Sequence, residues 1–188
     1  MRVLAVSGSV RRDSYNTSLL RALAEEAPAG VEIVLWDGLK EIPPYDQDED
    51  VTPGPETVEE LRTELRSADA IVFATPEYNS SIPGALKNAL DWASRPAGQS
   101  ATGNKPVAVI GASAGAFGAV WAQAELRKVL GTMQARIVDV ELAVGHAHEK
   151  FDEHGALIDG TVRQALRDAL LDVVAEATTA APEAAVAA

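Results

Sequence analysis

Residues 3–20 read VLAVSGSVRRDSYNTSLL, and this stretch decides the fold class. It begins with four apolar residues, which are typical of a short buried strand, and residues 7–9 end that run at a turn. Beyond the polar loop, Leu19, Leu20 and Leu23 recur at helical spacing. The stretch therefore predicts a strand, a loop and a helix in succession.

The same alternation continues along the chain. The later predicted strands cover residues 33–36, 70–74, 107–110 and 137–142, and the later helices cover about 56–67, 83–92, 119–130 and 161–176. Five strands that alternate with helices predict an α/β protein with a flavodoxin-like, doubly wound, five-stranded parallel sheet in the order 2-1-3-4-5 and helices on both faces. The last strand alternates apolar and acidic residues, which indicates a half-exposed edge.

Length and composition predict one domain over residues 1–176, because 188 residues with 47% hydrophobic content can bury one substantial core. The Ala-rich segment 177–188 has little bulk to pack and is expected to be a flexible tail. Residues 37–55 form a Pro- and Asp-rich loop that is long for a connection inside a compact domain. Loops of this length are usually functional or mobile.

Composition also excludes several classes of function. The chain has no cysteine, so redox chemistry would have to come from a cofactor rather than from a thiol or an iron–sulfur cluster. A formal net charge of −12 opposes nucleic-acid binding. No apolar run approaches the roughly 18 residues needed to cross a bilayer. The N-terminus lacks a signal-peptide pattern, so the protein is predicted to be cytoplasmic and without a membrane span.

Ligands of an open α/β sheet bind beyond the carboxyl ends of the strands, near the point where the strand order reverses. Three loops are expected to meet there, covering residues 8–16, 75–81 and 112–118. The first of them leads into a helix, whose N-terminal N–H groups favour an anion. Its hydroxyl, amide and guanidinium groups could complete a phosphate cradle. The alternative that Ser14 or Asn16 merely caps the helix stays open.

The second loop places a proline, a carboxylate and an aromatic ring where they could form a wall for a planar ligand. Glu77 lacks a partner carboxylate, so it is expected to bond backbone or ligand rather than to act as a general base. The glycines of the third loop could let backbone approach a ligand closely. The first loop lacks both G-x-G-x-x-G and G-x-x-x-x-G-K-[ST], so neither a dinucleotide-binding fingerprint nor a P-loop is supported.

Two motifs stand out in these loops: G-S-x-R-x-x-S-x-N from residue 8 and T-P-E-Y-N-x-S-x-P-G-x-L-K-N-x-x-D-W from residue 75. Together they resemble the NADPH-dependent FMN reductase family, and its chromate and quinone reductase branch most of all. The resemblance implies an FMN-binding domain and nine flavin contacts. Those implied for the phosphate are Ser9, Arg11, Ser14 and Asn16, and those implied for the ring and ribityl chain are Pro76, Glu77, Tyr78, Asn79 and Ser113.

The resemblance further implies hydride transfer from NADPH or NADH through bound FMN to quinones or to similar azo, nitro or chromate acceptors. No side chain is expected to be catalytic, because the flavin carries the chemistry. The family resemblance also implies a homodimer or homotetramer. Two alternatives stay open, namely a reductase that releases reduced FMN to a partner monooxygenase and a flavodoxin-like electron carrier.

Two further groups of residues, the histidines and the tryptophans, are predicted to take no part in the reaction. His146, His148 and His154 match no closed zinc spacing, so they are interpreted as a solvated loop and no metal site is predicted. The three tryptophans, Trp36, Trp92 and Trp121, are interpreted as core or interface packing.

Overall fold

The three-dimensional structure is a computed structural model that describes residues 1–179. Its strands are β1 (Arg2–Ser7), β2 (Glu32–Trp36), β3 (Ala70–Ala74), β4 (Pro106–Ala112), β5 (Arg136–Ile137) and β6 (Leu142–Val144). Its α-helices are α1 (Tyr15–Glu25), α2 (Glu56–Ser67), α3 (Gly84–Ala93), α4 (Val120–Thr132) and α5 (Gly160–Thr179). Short 3₁₀ helices cover Gly38–Glu41, Gln47–Glu49 and Ala147–Glu149.

The sheet is parallel, with the order β2-β1-β3-β4-β5, which confirms the predicted order. Residues of β3 and β4 are buried along their whole length. Alternate residues of the strands face opposite sides, as period-two side chains must. On β1, for example, Leu4 packs with α2 and α3 while Val3 packs with α1 and α5. Helices therefore cover both faces, and the carboxyl ends of the strands share one edge.

The fifth strand differs from its prediction, because it is interrupted. Both β5 and β6 pair with β4 in the parallel direction. The register changes between them, because Ile137 lies opposite Val107 whereas Leu142 lies opposite Ile110. The outer strand thus carries two more residues than β4 over this interval. The predicted alternation survives, since Val138 and Val140 remain buried. The interruption ends regular pairing without exposing the core.

A side chain occupies this interruption. Arg127 of α4 donates through Nη2 to the backbone oxygens of Val109 at 3.0 Å and of Val140 at 2.6 Å. The guanidinium therefore bonds oxygens on both strands at the place where their ladder is broken. Burial lowers the pKa of Arg127 from its ordinary value. Because the sequence pattern records only side-chain polarity, it could not show that an arginine would bridge the two strands.

The long loop over residues 37–55 is anchored to the helices beside it. Asn88 of α3 donates to the oxygen of Pro43 at 2.8 Å and accepts from the nitrogen of Tyr45 at 2.7 Å. Trp92 donates through Nε1 to the same Pro43 oxygen at 2.9 Å. The loop is therefore held against α3 by three hydrogen bonds, although its composition alone suggested a functional or mobile segment.

The predicted domain boundary at residue 176 falls inside α5, which is helical as far as Thr179. The remainder of the predicted tail, residues 180–188, lies outside the described residues, so the flexible tail stays a prediction. Within residues 1–179, none of the helices combines the length and the apolar character that crossing a membrane requires.

Candidate functional site

The three predicted loops meet at the carboxyl edge of the sheet and enclose a cleft of about 330 Å³, here called the three-loop cleft. Eight of the nine candidate residues line it, and Asn79 does not. The lining residues are Ser9, Arg11, Ser14, Tyr15, Asn16, Pro76, Glu77, Tyr78, Ala112, Ser113 and Ala114. Tyr15 and the small residues Ala112 and Ala114 were not predicted, because nothing in their residue type indicates a ligand.

Ser14 both caps α1 and lines the cleft, so the two interpretations of this residue hold together. Its Oγ accepts from the nitrogen of Thr17 at 3.4 Å, and the residue is extended, with φ −83° and ψ 124°. The hydroxyl of Ser9 accepts from the nitrogen of Arg11 at 3.3 Å. These bonds shape the first loop around the N-terminus of α1, where backbone N–H groups favour a negative charge.

Arg11 is exposed and its guanidinium makes no hydrogen bond or ion pair with the part of the chain that the structure describes. Its Cζ lies 5.5 Å from the ring centroid of Tyr15, which is a cation–π distance. The residue therefore keeps its forked donors available at the rim of the cleft. A planar guanidinium in this state is well suited to a phosphate.

Asn16 has a different environment from the one that a phosphate ligand needs. It is 2% exposed, its Nδ2 donates to the oxygen of Ala112 at 3.0 Å, and its Oδ1 accepts from the nitrogen of Ala112 at 2.9 Å. The side chain thus ties the start of α1 to the end of β4. The sequence placed Asn16 in the correct loop. It could not show the hydrogen-bond partner of the side chain, because Ala112 lies 96 positions away in the chain.

Replacing Asn16 with Ala is expected to lower the free energy of unfolding of the flavin-free protein by about 2 kcal/mol, because two buried backbone groups of Ala112 lose their partner. Urea denaturation of the apoprotein measures this change. A variant that kept wild-type stability but lost FMN would instead show that Asn16 acts only on the phosphate.

The second loop is a tight turn that presents Tyr78 to the cleft. Tyr78 and Ser81 exchange backbone hydrogen bonds of 3.0 and 3.1 Å, and Asn79 and Ser80 between them have φ values of 53° and 61°. Two consecutive positive φ values are typical of a type I′ turn, which asparagine tolerates well. Asn79 therefore lies at the tip of the turn, whereas Tyr78 is 55% exposed beside the cleft.

Glu77 joins the second loop to α4. Its Oε2 accepts from the nitrogens of Trp121 at 3.0 Å and Ala122 at 3.1 Å, in the first turn of that helix. The N-cap residue of α4, Ala119, supplies no side-chain cap of its own. A carboxylate from another loop thus satisfies two unpaired helix N–H groups and matches the helix dipole. This agrees with the expectation that Glu77 bonds backbone or ligand.

The third loop is fixed by backbone hydrogen bonds to the end of β6 and to the segment that follows it. The nitrogen of Ser113 donates to the oxygen of Val144 at 3.0 Å, and its oxygen accepts from Ala147 at 3.0 Å. Gly118 has φ +58°, and a Cβ there would collide with the backbone of Ala143. This glycine therefore serves close packing against β6, whereas a Cβ on Gly115 would make only an ordinary contact with the Oγ of Ser113 at 3.8 Å.

The three tryptophans lie in two different environments, and the histidines form no metal cluster within the described residues. Trp36 and Trp92 are 7% and 0% exposed, which confirms core packing, whereas Trp121 is 49% exposed. Its ring lies edge to face with Phe117 at 5.0 Å, at the surface rather than in the core. Within the described residues, no three His, Cys, Asp or Glu side chains gather closely enough to hold a metal ion.

The cleft has the properties that an FMN molecule requires. Its first-loop side combines the N-terminus of α1, the hydroxyl of Ser9 and the exposed guanidinium of Arg11, which suit a phosphate. Its opposite side has Pro76 and the ring of Tyr78, which suit a planar ring system. The residues present therefore fit the cofactor in both chemistry and placement.

Comparison with known proteins adds independent findings. Residues 1–149 match the model of the NADPH-dependent FMN reductase family. A Pseudomonas aeruginosa protein named NAD(P)H-dependent FMN reductase is 42% identical over 171 residues, which cover 90% of this chain and 91% of that protein. The 2-hydroxy-1,4-benzoquinone reductase of a Burkholderia species is 40% identical over 168 residues, with 89% and 91% coverage. Among solved structures, FerB, a flavoenzyme NAD(P)H:(acceptor) oxidoreductase of Paracoccus denitrificans, matches with a TM-score of 0.85 and 34% identity, over 95% of this chain and 97% of that one.

Proposed function

The chain belongs to the NADPH-dependent FMN reductase family. We propose that the three-loop cleft holds the FMN, and that the eight candidate residues that line it bind or position the cofactor, while Asn79 forms the tip of the turn that presents Tyr78. The protein is an oxidoreductase that uses FMN and NAD(P)H. FMN supplies the two-electron chemistry when it is bound. What the chain itself contributes is binding, orientation and exclusion of competing reactions.

The observation that carries the proposed site is the guanidinium of Arg11, which lies in the loop just before α1 and has no hydrogen-bond or ion-pair partner within residues 1–179. In a chain with a net charge of −12, an anionic cofactor needs a local concentration of donors. Arg11 would bind the phosphate directly with the hydroxyls of Ser9 and Ser14. Asn16 would not contact the phosphate directly and would instead support the site by holding the end of β4 against α1.

The remaining candidates would place the ring system. Pro76 and Tyr78 would form its wall, and Glu77 would fix that wall by its two bonds to the first turn of α4. Ser113 would line the part of the cleft that the third loop forms, and its backbone is held there by hydrogen bonds to Val144 and Ala147. Rigid placement matters because hydride transfer depends on the distance and angle between two rings. No side chain is assigned as a general acid or base.

The acceptor is proposed to be a quinone or a similar small oxidant. A relative named 2-hydroxy-1,4-benzoquinone reductase supports this class, since it aligns with 89% of this chain. The homodimer or homotetramer and the cytoplasmic location remain proposals. The exposed rings of Phe117 and Trp121, whose centroids are 5.0 Å apart, and the exposed ring of Tyr78 support an oligomer, because exposed large apolar side chains favour a covered surface.

Anaerobic reduction tests the proposal. Purified protein is expected to carry yellow FMN and to lose its visible absorbance within seconds of adding NADPH or NADH, and a quinone is expected to restore the colour without oxygen. The matched control is the same protein given oxidised nicotinamide, which should leave the spectrum unchanged.

Two outcomes of that experiment would replace the proposal by one of its alternatives. Flavin that stays oxidised with both nicotinamides indicates an electron carrier. Flavin that is lost on gel filtration, together with saturable turnover of added FMN, indicates a reductase that releases its flavin.

A further inference from the structure

The guanidinium of Arg11 is held by an aromatic ring rather than by a carboxylate. Its Cζ lies over the ring of Tyr15, 5.5 Å from the ring centroid, and Tyr15 is the first residue of α1. A contact with the face of a ring uses the positive charge of the guanidinium without occupying its N–H donors. These donors therefore remain available to a ligand in the three-loop cleft.

Two other arginines of residues 1–179 lie over aromatic rings, and both are also neutralised. Arg62 and Arg95 each have a ring centroid at 5.9 Å, and each pairs with Asp50, at 3.0 Å and 3.6 Å respectively. Arg11 differs from both, because within this part of the chain it has the ring contact and no ion pair. At the cleft, the ring is the partner of the cation in place of a carboxylate.

Carboxylates that could have paired with Arg11 are close to it. A cavity of about 270 Å³ next to the cleft is lined by Arg11 together with Asp13, Asp152 and Glu153. None of these three carboxylates forms an ion pair with Arg11 in the described part of the chain. Asp152 instead accepts, through Oδ1, from two backbone nitrogens of its own turn, at 2.9 and 2.8 Å. An ion pair with Arg11 would have to break before a phosphate could bind, whereas the ring contact can persist.

The ring of Tyr15 is itself held in place by packing. It stacks on Phe151, with ring centroids 5.7 Å apart and an interplanar angle of 30°, and Phe151 is 5% exposed. Phe151 and Leu157 form an antiparallel bridge that closes a short turn. Within this turn, Gly155 lies so close to α1 that a Cβ would stand 2.8 Å from the Oγ of Ser18. Tyr15 can therefore serve as a fixed support for the Arg11 side chain.

We propose that Tyr15 is a positioning residue, whose ring holds Arg11 at the rim of the three-loop cleft before FMN binds. This inference rests on the proposed function, which places the FMN phosphate at Arg11. A long arginine side chain loses conformational freedom when a ligand orders it, and this cost is smaller when the protein has already ordered the side chain. Tyr15 therefore raises the affinity for the phosphate by acting through Arg11.

Riboflavin separates this role from other roles of Tyr15, because it has the ring system and ribityl chain of FMN but no phosphate. Fluorescence titration of the apoprotein measures the affinity for both flavins. Tyr15→Leu removes the aromatic face, so it should weaken FMN about three- to tenfold and leave riboflavin within about twofold of the wild type. Tyr15→Phe keeps the aromatic face and should leave both affinities within about twofold.

A double variant tests whether Tyr15 acts through Arg11. In the Arg11→Ala background, Tyr15→Leu should weaken FMN by less than about twofold, because the residue that it positions is already gone. The matched control is Tyr45→Leu, which removes the ring over Arg95 and does not alter a residue that lines the cleft. This control should keep the ratio of FMN to riboflavin affinity within about twofold of the wild type.

A measurement on the wild type does not depend on the folding of any variant. In proton NMR spectra of the apoprotein, the side-chain signals of Arg11 are expected to lie upfield of their usual positions, because the ring current of Tyr15 shields protons over its face. Signals at their usual positions would overturn the inference.

Three results of the titrations would also overturn it. Equal losses of FMN and riboflavin affinity in Tyr15→Leu would show a packing role, and wild-type FMN affinity in that variant would show no role. A loss in Tyr15→Phe as large as in Tyr15→Leu would show that the hydroxyl group contacts the flavin. A loss of the same size with and without Arg11 would show that Tyr15 acts independently of it.

The inference and the proposed function can fail separately. If Arg11→Ala leaves the preference for FMN over riboflavin unchanged, the phosphate does not lie at Arg11 and the proposed site is wrong. If Arg11→Ala loses that preference while Tyr15→Leu keeps it, the site stands and the positioning role of Tyr15 is wrong.

Discussion

Replacing Arg11 with Ala is expected to weaken FMN binding about a hundredfold, because it removes a charged donor that faces the phosphate in a partly enclosed cleft. The guanidinium makes no hydrogen bond or ion pair within residues 1–179, and its one close contact is with the face of Tyr15. Folding should therefore change by no more than about 0.5 kcal/mol, as for other exposed positions. Fluorescence titration of the apoprotein with FMN, paired with urea denaturation, measures both quantities.

The matched control is Arg66→Ala, since Arg66 is also exposed and its side chain also has no hydrogen-bond or ion-pair partner in the described part of the chain, but it lies on α2 and does not line the cleft. It should retain wild-type FMN affinity. Full flavin occupancy in the Arg11 variant would refute the phosphate assignment. A large fall in stability would show instead that Arg11 has a structural role that the contacts of residues 1–179 do not contain.

Replacing Trp92 with Ala is expected to lower the free energy of unfolding by about 3–5 kcal/mol, since removing a buried tryptophan costs transfer free energy and leaves a cavity. Trp92 is 0% exposed and its ring lies edge to face with Tyr45 at 4.9 Å. The variant also leaves the oxygen of Pro43 with one donor fewer, which loosens the loop over residues 37–55. Chemical denaturation of the wild type and the variant gives the difference.

The control for Trp92→Ala is Trp121→Ala, which removes an exposed tryptophan instead of a buried one. Trp121 is 49% exposed, so its loss should change the unfolding free energy by less than about 1 kcal/mol. Similar losses for the two variants would contradict the assignment of Trp92 to the core and of Trp121 to the surface.

The α/β class and the parallel order could be predicted because short apolar runs alternate with amphipathic stretches all along the chain. The prediction was least accurate at the edge, where residues 137–142 were assigned to one strand. Apolar alternation there reports which side chains are buried, and Val138 and Val140 are buried as expected. It does not report backbone pairing, which the bonds from Arg127 to Val109 and Val140 interrupt.

At the candidate site, the chain by itself determined which residues would meet. Strand ends in a parallel sheet share one edge, so Ser9, Glu77 and Ser113 had to lie near one another once the strand order was known. The family resemblance could also be inferred without coordinates. Local spacing and residue chemistry are enough for conclusions of this kind.

Only the tertiary structure decided what each side chain does there. Asn16 and Glu77 belong to the predicted loops, yet their polar atoms bond Ala112, Trp121 and Ala122, which are distant in the chain. The cavity between the first loop, α1 and the segment after β2 likewise exists only because the turn after β2 brings Lys40 beside the first loop. Hydrogen-bond partners and shared cavities depend on distances between segments, and these distances are set by packing rather than by any local pattern of residues.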